Sequence, residues 1–121
     1  GVARVSGNAR VYGDARVDGN ARVYGNAEVF GNAEVYGNAR VFGDARVFDR
    51  SKSTKLVKTI NSGIYHVTIT DNHIAIGCQN HTYNQWERLS KNKAVDLLGE
   101  RDADLWFKYK DFILTLAKER L

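Results

Sequence analysis

Apolar residues recur every six positions through the first 48 residues of the chain. In sixes this segment is GVARVS, GNARVY, GDARVD, GNARVY, GNAEVF, GNAEVY, GNARVF and GDARVF, with Ala third and Val fifth in each hexad. An α-helix would spread a six-residue period around its circumference, and a hairpin sheet would be interrupted by the Gly-Asn or Gly-Asp pairs. The pattern therefore predicts a parallel β-helix in which each hexad forms one strand and one corner, with three hexads to a coil.

Each position of the hexad has a predicted role. Val points into the coil, small Ala fits beside the corner, and Gly with Asn or Asp forms the corner, where unusual backbone angles cost them least. This arrangement resembles the hexapeptide-repeat family of left-handed β-helices, in which an aliphatic residue follows a small residue two positions earlier. The resemblance covers residues 1–48 and implies left-handed coils and a three-fold assembly.

Residues 18 apart should stack directly above one another, because three hexads make one coil. One such column would hold Arg4, Arg22 and Arg40, which are all positive, and Arg50 and Lys52 follow soon after the repeats. We predict a binding site for a small anionic ligand such as a nucleotide, formed either by the column Arg4, Arg22 and Arg40 or by Arg50 and Lys52. The alternative is that exposed guanidinium groups, about 4.8 Å apart, turn into water at little cost.

The last position of most hexads is aromatic, and stacking at 18-residue intervals predicts ladders of rings along the solenoid. We predict that these rings lie between subunits, because aromatic side chains are enriched in interfaces. Stacking against carbohydrate is the alternative use of such rings. The predicted interface residues are Tyr12, Tyr24, Phe30, Tyr36, Phe42 and Phe48.

The composition changes abruptly after Phe48, where Lys, Leu, Ile, Thr, His and Trp appear for the first time. We therefore expect two domains, residues 1–48 and 49–121. The first residue already lies within the repeat, so we expect the β-helix to be truncated and further repeats to precede it in a longer parent protein. In the second domain a period of two predicts an antiparallel meander. Its expected strands are 55–60, 64–70 and 73–79.

Helices are predicted to complete the second domain. Thr82 and Gln85 have the spacing of a capping box, and Gly99 should end a second helix. Asp102 should cap a final helix whose apolar stripe packs in the core, with docking of a partner as the alternative. The stripe consists of Leu105, Tyr109, Phe112, Ile113 and Leu116. The predicted fold class is thus a left-handed parallel β-helix followed by a small α+β cap of a short antiparallel meander and two to three helices.

Side chains typical of catalysis or metal binding are sparse. Many hexapeptide β-helices are acyltransferases with a histidine base near a coil, and these repeats contain no histidine. His73, Cys78 and His81 have an H-x4-C-x2-H spacing that matches no standard zinc pattern, and we interpret Cys78 as a small buried residue. We predict no catalytic residue, no metal and no cofactor, with an acyltransferase left open only if upstream repeats supply a base.

The C-terminal region resembles that of short repeat proteins encoded by phages and prophages. The shared features are the run 74–78, Thr82, Trp86 and a terminal helix rich in Lys and Arg. The resemblance implies an origin in a mobile element, with a role either in virion structure or against host defence.

The favoured function is a non-enzymatic structural or interaction protein that self-associates, as a trimer, and binds a macromolecular partner, for which a protein is one option. The alternative is an oligomeric binder of a small anionic ligand, and a hexapeptide acyltransferase is third. A single cysteine and the absence of an apolar run long enough to cross a bilayer lead us to expect the cytoplasm of a bacterial host and no membrane contact. A net charge of +4 is moderate, and nucleic acid is not the partner we expect.

Overall fold

The computed structural model describes residues 3–61 and 66–119. Its first part is a parallel β-solenoid of three sheets, which confirms the coil of three hexads. Strands that are three apart in the sequence are neighbours in each sheet, and their residues pair at intervals of 18, as in Arg4 with Arg22. We name the sheets face 1 (β1, β4, β7), face 2 (β2, β5, β8) and face 3 (β3, β6, β9). The nine strands are Arg4–Val5, Arg10–Val11, Arg16–Val17, Arg22–Val23, Glu28–Val29, Glu34–Val35, Arg40–Val41, Arg46–Val47 and Lys52–Ser53.

The solenoid core is a column of Val and Ala, as the hexad pattern predicts. From Ala21 to Val47 the third and fifth residues of every hexad are fully buried, because each coil is covered by the next. The first coil is only partly covered, and Val5 keeps 48% of its surface exposed. Burial of each Val contributes roughly 1.5–3 kcal/mol to folding.

The parallel stacking continues past Phe48, where the sequence repeat ends. Ser51 and Ser53 take the inward places that Ala and Val hold in earlier hexads, and both are buried. Leu56 then forms a parallel bridge with Arg40, and Val57 joins the solenoid core. The solenoid therefore extends beyond the last hexad of the sequence repeat.

The second part begins with an antiparallel sheet of four strands, where the sequence predicted three. The strands are β10 (Lys58–Asn61), β11 (His66–Ile69), β12 (His73–Ile76) and β13 (Gln79–Thr82), paired in that order. The predicted strand 73–79 is divided by a turn at Gly77, whose φ of +58° ends the extended run. The start of the predicted strand 64–70 lies outside the described residues.

Cys78 occupies this turn and is exposed, so the interpretation of Cys78 as a buried residue was wrong. The physical reason is the two-residue connection at Gly77–Cys78, which places the thiol at the tip of a hairpin instead of within a strand.

The sheet lies between the solenoid end and the helices. Val67, Ile69, Ile74 and Ile76 form a buried cluster with the helices. Thr68 is on the opposite face because side chains alternate along a strand, and its Oγ1 accepts a hydrogen bond from the backbone N–H of Arg46 at 3.2 Å. The sheet thus covers the last coil with a polar face and the helices with an apolar one.

Hydrogen bonds join the loop after β11 to the last coil of the solenoid. The Asp71 carboxylate accepts from the backbone N–H of Thr54 at 3.1 Å and from its hydroxyl at 2.5 Å. Asn72 accepts from the N–H of Lys52 at 2.9 Å, and the N–H of Asp71 donates to the carbonyl of Lys52 at 2.9 Å. These bonds pair the backbone N–H and C=O groups at the edge of the last coil. In a longer solenoid the next coil would form those bonds.

The helices are α1 (Tyr83–Glu87), α2 (Lys91–Leu98) and α3 (Glu100–Lys118). The capping box at the start of α1 is confirmed, since Thr82 and Gln85 each bond the backbone of the other. Gly99 ends α2 and also caps α3, so Asp102 lies in the first turn of α3 and not at its cap.

The core face of α3 differs from the predicted stripe. Tyr109 and Phe112 are exposed, Phe112 by 57%, so their predicted place in the core was wrong. The helix instead turns Trp106 inward, where its ring centroid lies 5.0 Å from that of Trp86. Most of the buried side chains of α3 share one apolar cluster with β11, β12 and Trp86 of α1. The buried residues of α3 are Ala103, Trp106, Ile113, Leu114 and Ala117.

Candidate functional site

Face 1 carries the predicted column of arginines. Arg4 pairs with Arg22 and Arg22 with Arg40 in parallel register, and all three side chains are exposed. None of the three forms an ion pair within residues 3–61 and 66–119. Three positive charges therefore lie one strand spacing apart without a compensating carboxylate, an arrangement that favours a bound anion.

On the other two faces the charges alternate in sign. On face 2 Glu28 lies between Arg10 and Arg46, and on face 3 Glu34 lies between Arg16 and Lys52. Opposite charges on neighbouring strands attract across the ladder. Within the described residues, face 1 is thus the solenoid face on which every charged residue of the column is positive.

The five predicted ligand-binding residues do not form one cluster. Lys52 belongs to face 3, where it stacks above Glu34. Arg50 is exposed in the turn that follows face 2, and its carbonyl accepts from the Asn72 amide at 3.4 Å. Arg50 and Lys52 thus lie apart from the column on face 1, because each follows the last strand of that face.

The aromatic ladders form as predicted, but their rings face one another. Tyr12, Phe30 and Phe48 stack with centroids 5.1 and 5.0 Å apart and with interplanar angles of 3° and 1°. Tyr24 and Phe42 stack in the same way at 5.4 Å and 10°. The ring faces turned toward one another inside each ladder are therefore covered by the neighbouring ring.

Exposure differs along the predicted interface set. Tyr12 is 47% exposed and donates a hydrogen bond to Glu28, and Tyr36 is also exposed. Tyr24, Phe30 and Phe42 are half-buried. Phe48 is only 6% exposed because it ends its ladder at the solenoid–cap junction, so its predicted place at an interface was wrong.

His73 and His81 lie near one end of the β12–β13 hairpin, whereas Cys78 lies in the turn at its other end. The structure therefore does not bring these three side chains together. Burial lowers the pKa of both histidines below 6.5, an effect that the Asp49 carboxylate partly opposes. Both imidazoles are therefore neutral at pH 7.

Asp49 is a feature that the sequence analysis missed. It occupies the corner place that Gly holds in all eight preceding hexads, and it is the non-glycine residue with a positive φ, +56°, in the described part of the chain. The change from Gly to Asp at this register position was the signal that could have revealed it.

The helices of the described residues include none long and apolar enough to cross a membrane. Residues 3–19 and 33–49 match the family model of the YdcK beta solenoid repeat. The match lies within the solenoid and does not reach the cap, so the resemblance of the C-terminal region to phage-encoded repeat proteins stays a prediction. No curated protein and no solved structure matches this chain.

Proposed function

We propose that this β-solenoid is a non-enzymatic interaction module that binds an acidic macromolecular partner through face 1. The observation that carries the proposal is the exposed column of Arg4, Arg22 and Arg40, which lacks an ion pair within the described residues. Arginine is suited to this role because its planar guanidinium binds carboxylates in a bidentate way.

The shape of face 1 supports a macromolecule as the partner. Each strand contributes only two residues to a short parallel sheet, so the arginines stand on a flat surface with Tyr24 and Phe42 alongside. Small ligands are usually held in concave sites, whereas flat surfaces with aromatic and arginine side chains are typical of protein interfaces. We infer that the partner is a protein with a carboxylate-rich surface.

Replacing Arg22 with Glu should abolish binding of an acidic polypeptide and leave the fold intact. The new carboxylate would lie between Arg4 and Arg40, so the column would gain two attractive cross-strand pairs of roughly 0.2–1 kcal/mol each. Titration with poly-L-glutamate at low and physiological salt would measure the effect, and we expect at least a tenfold loss of affinity with unchanged or higher melting temperature.

Arg16→Glu is the matched control, since it makes the same charge change on face 3. Equal losses of affinity for both variants would show that net charge alone attracts the polymer and would contradict the proposal. A nucleotide that raises the melting temperature of the wild type but not of Arg22→Glu would favour the second candidate, a binder of small anionic ligands, because arginines also hold phosphate groups well.

We propose that the chain also self-associates as a trimer through its exposed aromatic side chains, of which Tyr36 is one. Light scattering should then give three times the 13.6 kDa mass of the chain over a wide concentration range. Tyr36→Asp should release monomers, with little change in the monomer's stability because the side chain is exposed. A wild-type monomer at all concentrations would refute self-association and leave the binding proposal for face 1 intact.

A further inference from the structure

Face 1 ends in an apolar residue where the solenoid meets the cap. Leu56 forms a parallel bridge with Arg40 and takes the outward place that arginine holds in the three earlier coils of this face. Its side chain is 42% exposed, whereas the next residue, Val57, turns inward and is buried in the solenoid core. The arginine column is therefore followed, one strand spacing of about 4.8 Å beyond Arg40, by an exposed aliphatic side chain.

A small cavity of about 40 Å³ opens beside Leu56. Its apolar lining includes Leu56, Ile69, Leu116 and Ala117, so the cavity lies between the end of face 1, strand β11 and the last turn of α3. A single water needs about 10–15 Å³ measured in this way, so the cavity has room for the branched end of one aliphatic side chain. We call Leu56 and this cavity the anchor site.

Charged side chains around the anchor site disfavour a carboxylate inside it. The Lys58 ammonium donates to the carbonyl of Leu116 at 2.8 Å and lies 3.9 Å from the Glu119 carboxylate, so its charge is already engaged. Asp71 and Glu119 line the cavity and would repel a further negative group. Lys55 is exposed at the rim and forms no ion pair within the described residues. An uncharged apolar group therefore fits the cavity, and a carboxylate fits outside it.

The arginine column and the anchor site form one continuous surface. Arg4, Arg22, Arg40 and Leu56 follow one another on neighbouring strands, and three spacings of about 4.8 Å give a length of about 14 Å. An extended peptide advances about 3.4 Å per residue, so about five residues span this length. The surface is positive over most of that distance and apolar at the cap, which distinguishes its two ends.

We propose that face 1 recognises a linear segment of its acidic partner, in which a run of Asp or Glu lies on the arginine column and one adjacent Val, Leu or Ile enters the anchor site. This inference rests on the proposed function of face 1 and adds the sequence features of the segment that is bound. The guanidinium groups pair with the carboxylates, and the anchor site removes the aliphatic group from water.

Other occupants fit this surface less well. The repeats of a second copy carry Glu28 and Glu34, and each lies between basic residues of its own face, so neither face offers a run of carboxylates to three arginines. A nucleic acid would supply phosphates for the arginines but no aliphatic side chain for the anchor site. A segment with both features matches the whole surface.

The test compares two fluorescently labelled peptides, LEEEEL and SEEEES, by fluorescence anisotropy at low salt. The Leu residues stand at both ends, so the result does not depend on the direction in which the peptide lies. We expect the Leu peptide to bind roughly five- to thirtyfold more tightly, because part of one aliphatic side chain leaves water. Arg22→Glu should lose binding of both peptides, since both depend on the arginine column.

Leu56→Ser should reduce the affinity for the Leu peptide to that for the Ser peptide, whose own affinity should not change. The exposure of Leu56 makes this substitution compatible with the fold, and the melting temperature checks it. Leu97→Ser, which removes an exposed Leu from α2, is the matched control and should retain the preference for the Leu peptide.

The anchor site and the proposed function of face 1 fail in different ways. Equal affinities of the wild type for the two peptides, no binding of either, or a preference that survives Leu56→Ser would overturn the anchor site. Binding of poly-L-glutamate by the same wild-type protein, and its loss in Arg22→Glu, then decides separately whether face 1 binds acidic polypeptides.

Discussion

Replacing Trp106 with Ala should lower the free energy of unfolding by about 3–5 kcal/mol, the usual cost of removing a buried Trp. Trp106 is fully buried in the cluster between α3, α1 and the sheet, and its ring packs against Trp86. Removal of the indole would leave a cavity between three elements that cannot all move to fill it. Urea denaturation followed by circular dichroism would measure the loss.

Phe112→Ala is the control on the same helix. The Phe112 ring is 57% exposed, so its removal should cost less than about 1 kcal/mol. The apolar stripe predicted from the sequence requires the opposite order, with Phe112 in the core. A larger loss for Phe112→Ala than for Trp106→Ala would therefore show that α3 packs through the stripe that contains Tyr109 and Phe112.

Replacing Gly31 with Ala should destabilise the solenoid by about 2–5 kcal/mol. A Cβ at this corner would lie 2.9 Å from the backbone nitrogen of Asp49 in the next coil, so one of the two coils has to shift. Overpacking of this kind typically costs about 1–3 kcal/mol. The φ of +65° adds the cost of an L-residue in the left-handed region, about 1–2 kcal/mol.

Gly43→Ala separates these two contributions. Gly43 has nearly the same φ, +63°, but an added Cβ would meet no atom of the described residues within 4 Å. This variant should lose only the conformational cost, about 1–2 kcal/mol. Thermal and urea denaturation of both variants would compare them, and equal losses would mean that close stacking of the corners contributes nothing to stability.

Much of the solenoid was predictable because a fixed sequence interval determines which residues are neighbours. A period of six with three hexads per coil assigns every residue a neighbour 18 positions away, without knowledge of the rest of the chain. The columns Arg4–Arg22–Arg40 and Tyr12–Phe30 follow from this arithmetic, and the structure confirms both. The candidate binding column of face 1 was in this sense already present in the sequence.

The solenoid's end was less predictable from the repeat. Composition changes at Phe48, yet Ser53 and Val57 still pack inside the last coil. Small polar residues can occupy an inward place when the cap covers them, and a pattern of Val and Ala does not reveal that cover. Phe48 is buried for the same reason, although its place in the ladder suggested an exposed ring.

The sequence by itself determined the periodic part of this protein: the three-sided coil, the inward Val and Ala, the glycine corners and the stacked charges of face 1. Tertiary structure alone decided which face of α3 is buried and that Asp49, His73 and Asn80 line one depression where the solenoid meets the cap. The physical reason is that the contacts within the repeats and the contacts of the cap arise in different ways. Stacking within the repeats depends on a fixed sequence interval, whereas packing of the cap depends on shape and hydrogen bonding between segments that no interval relates.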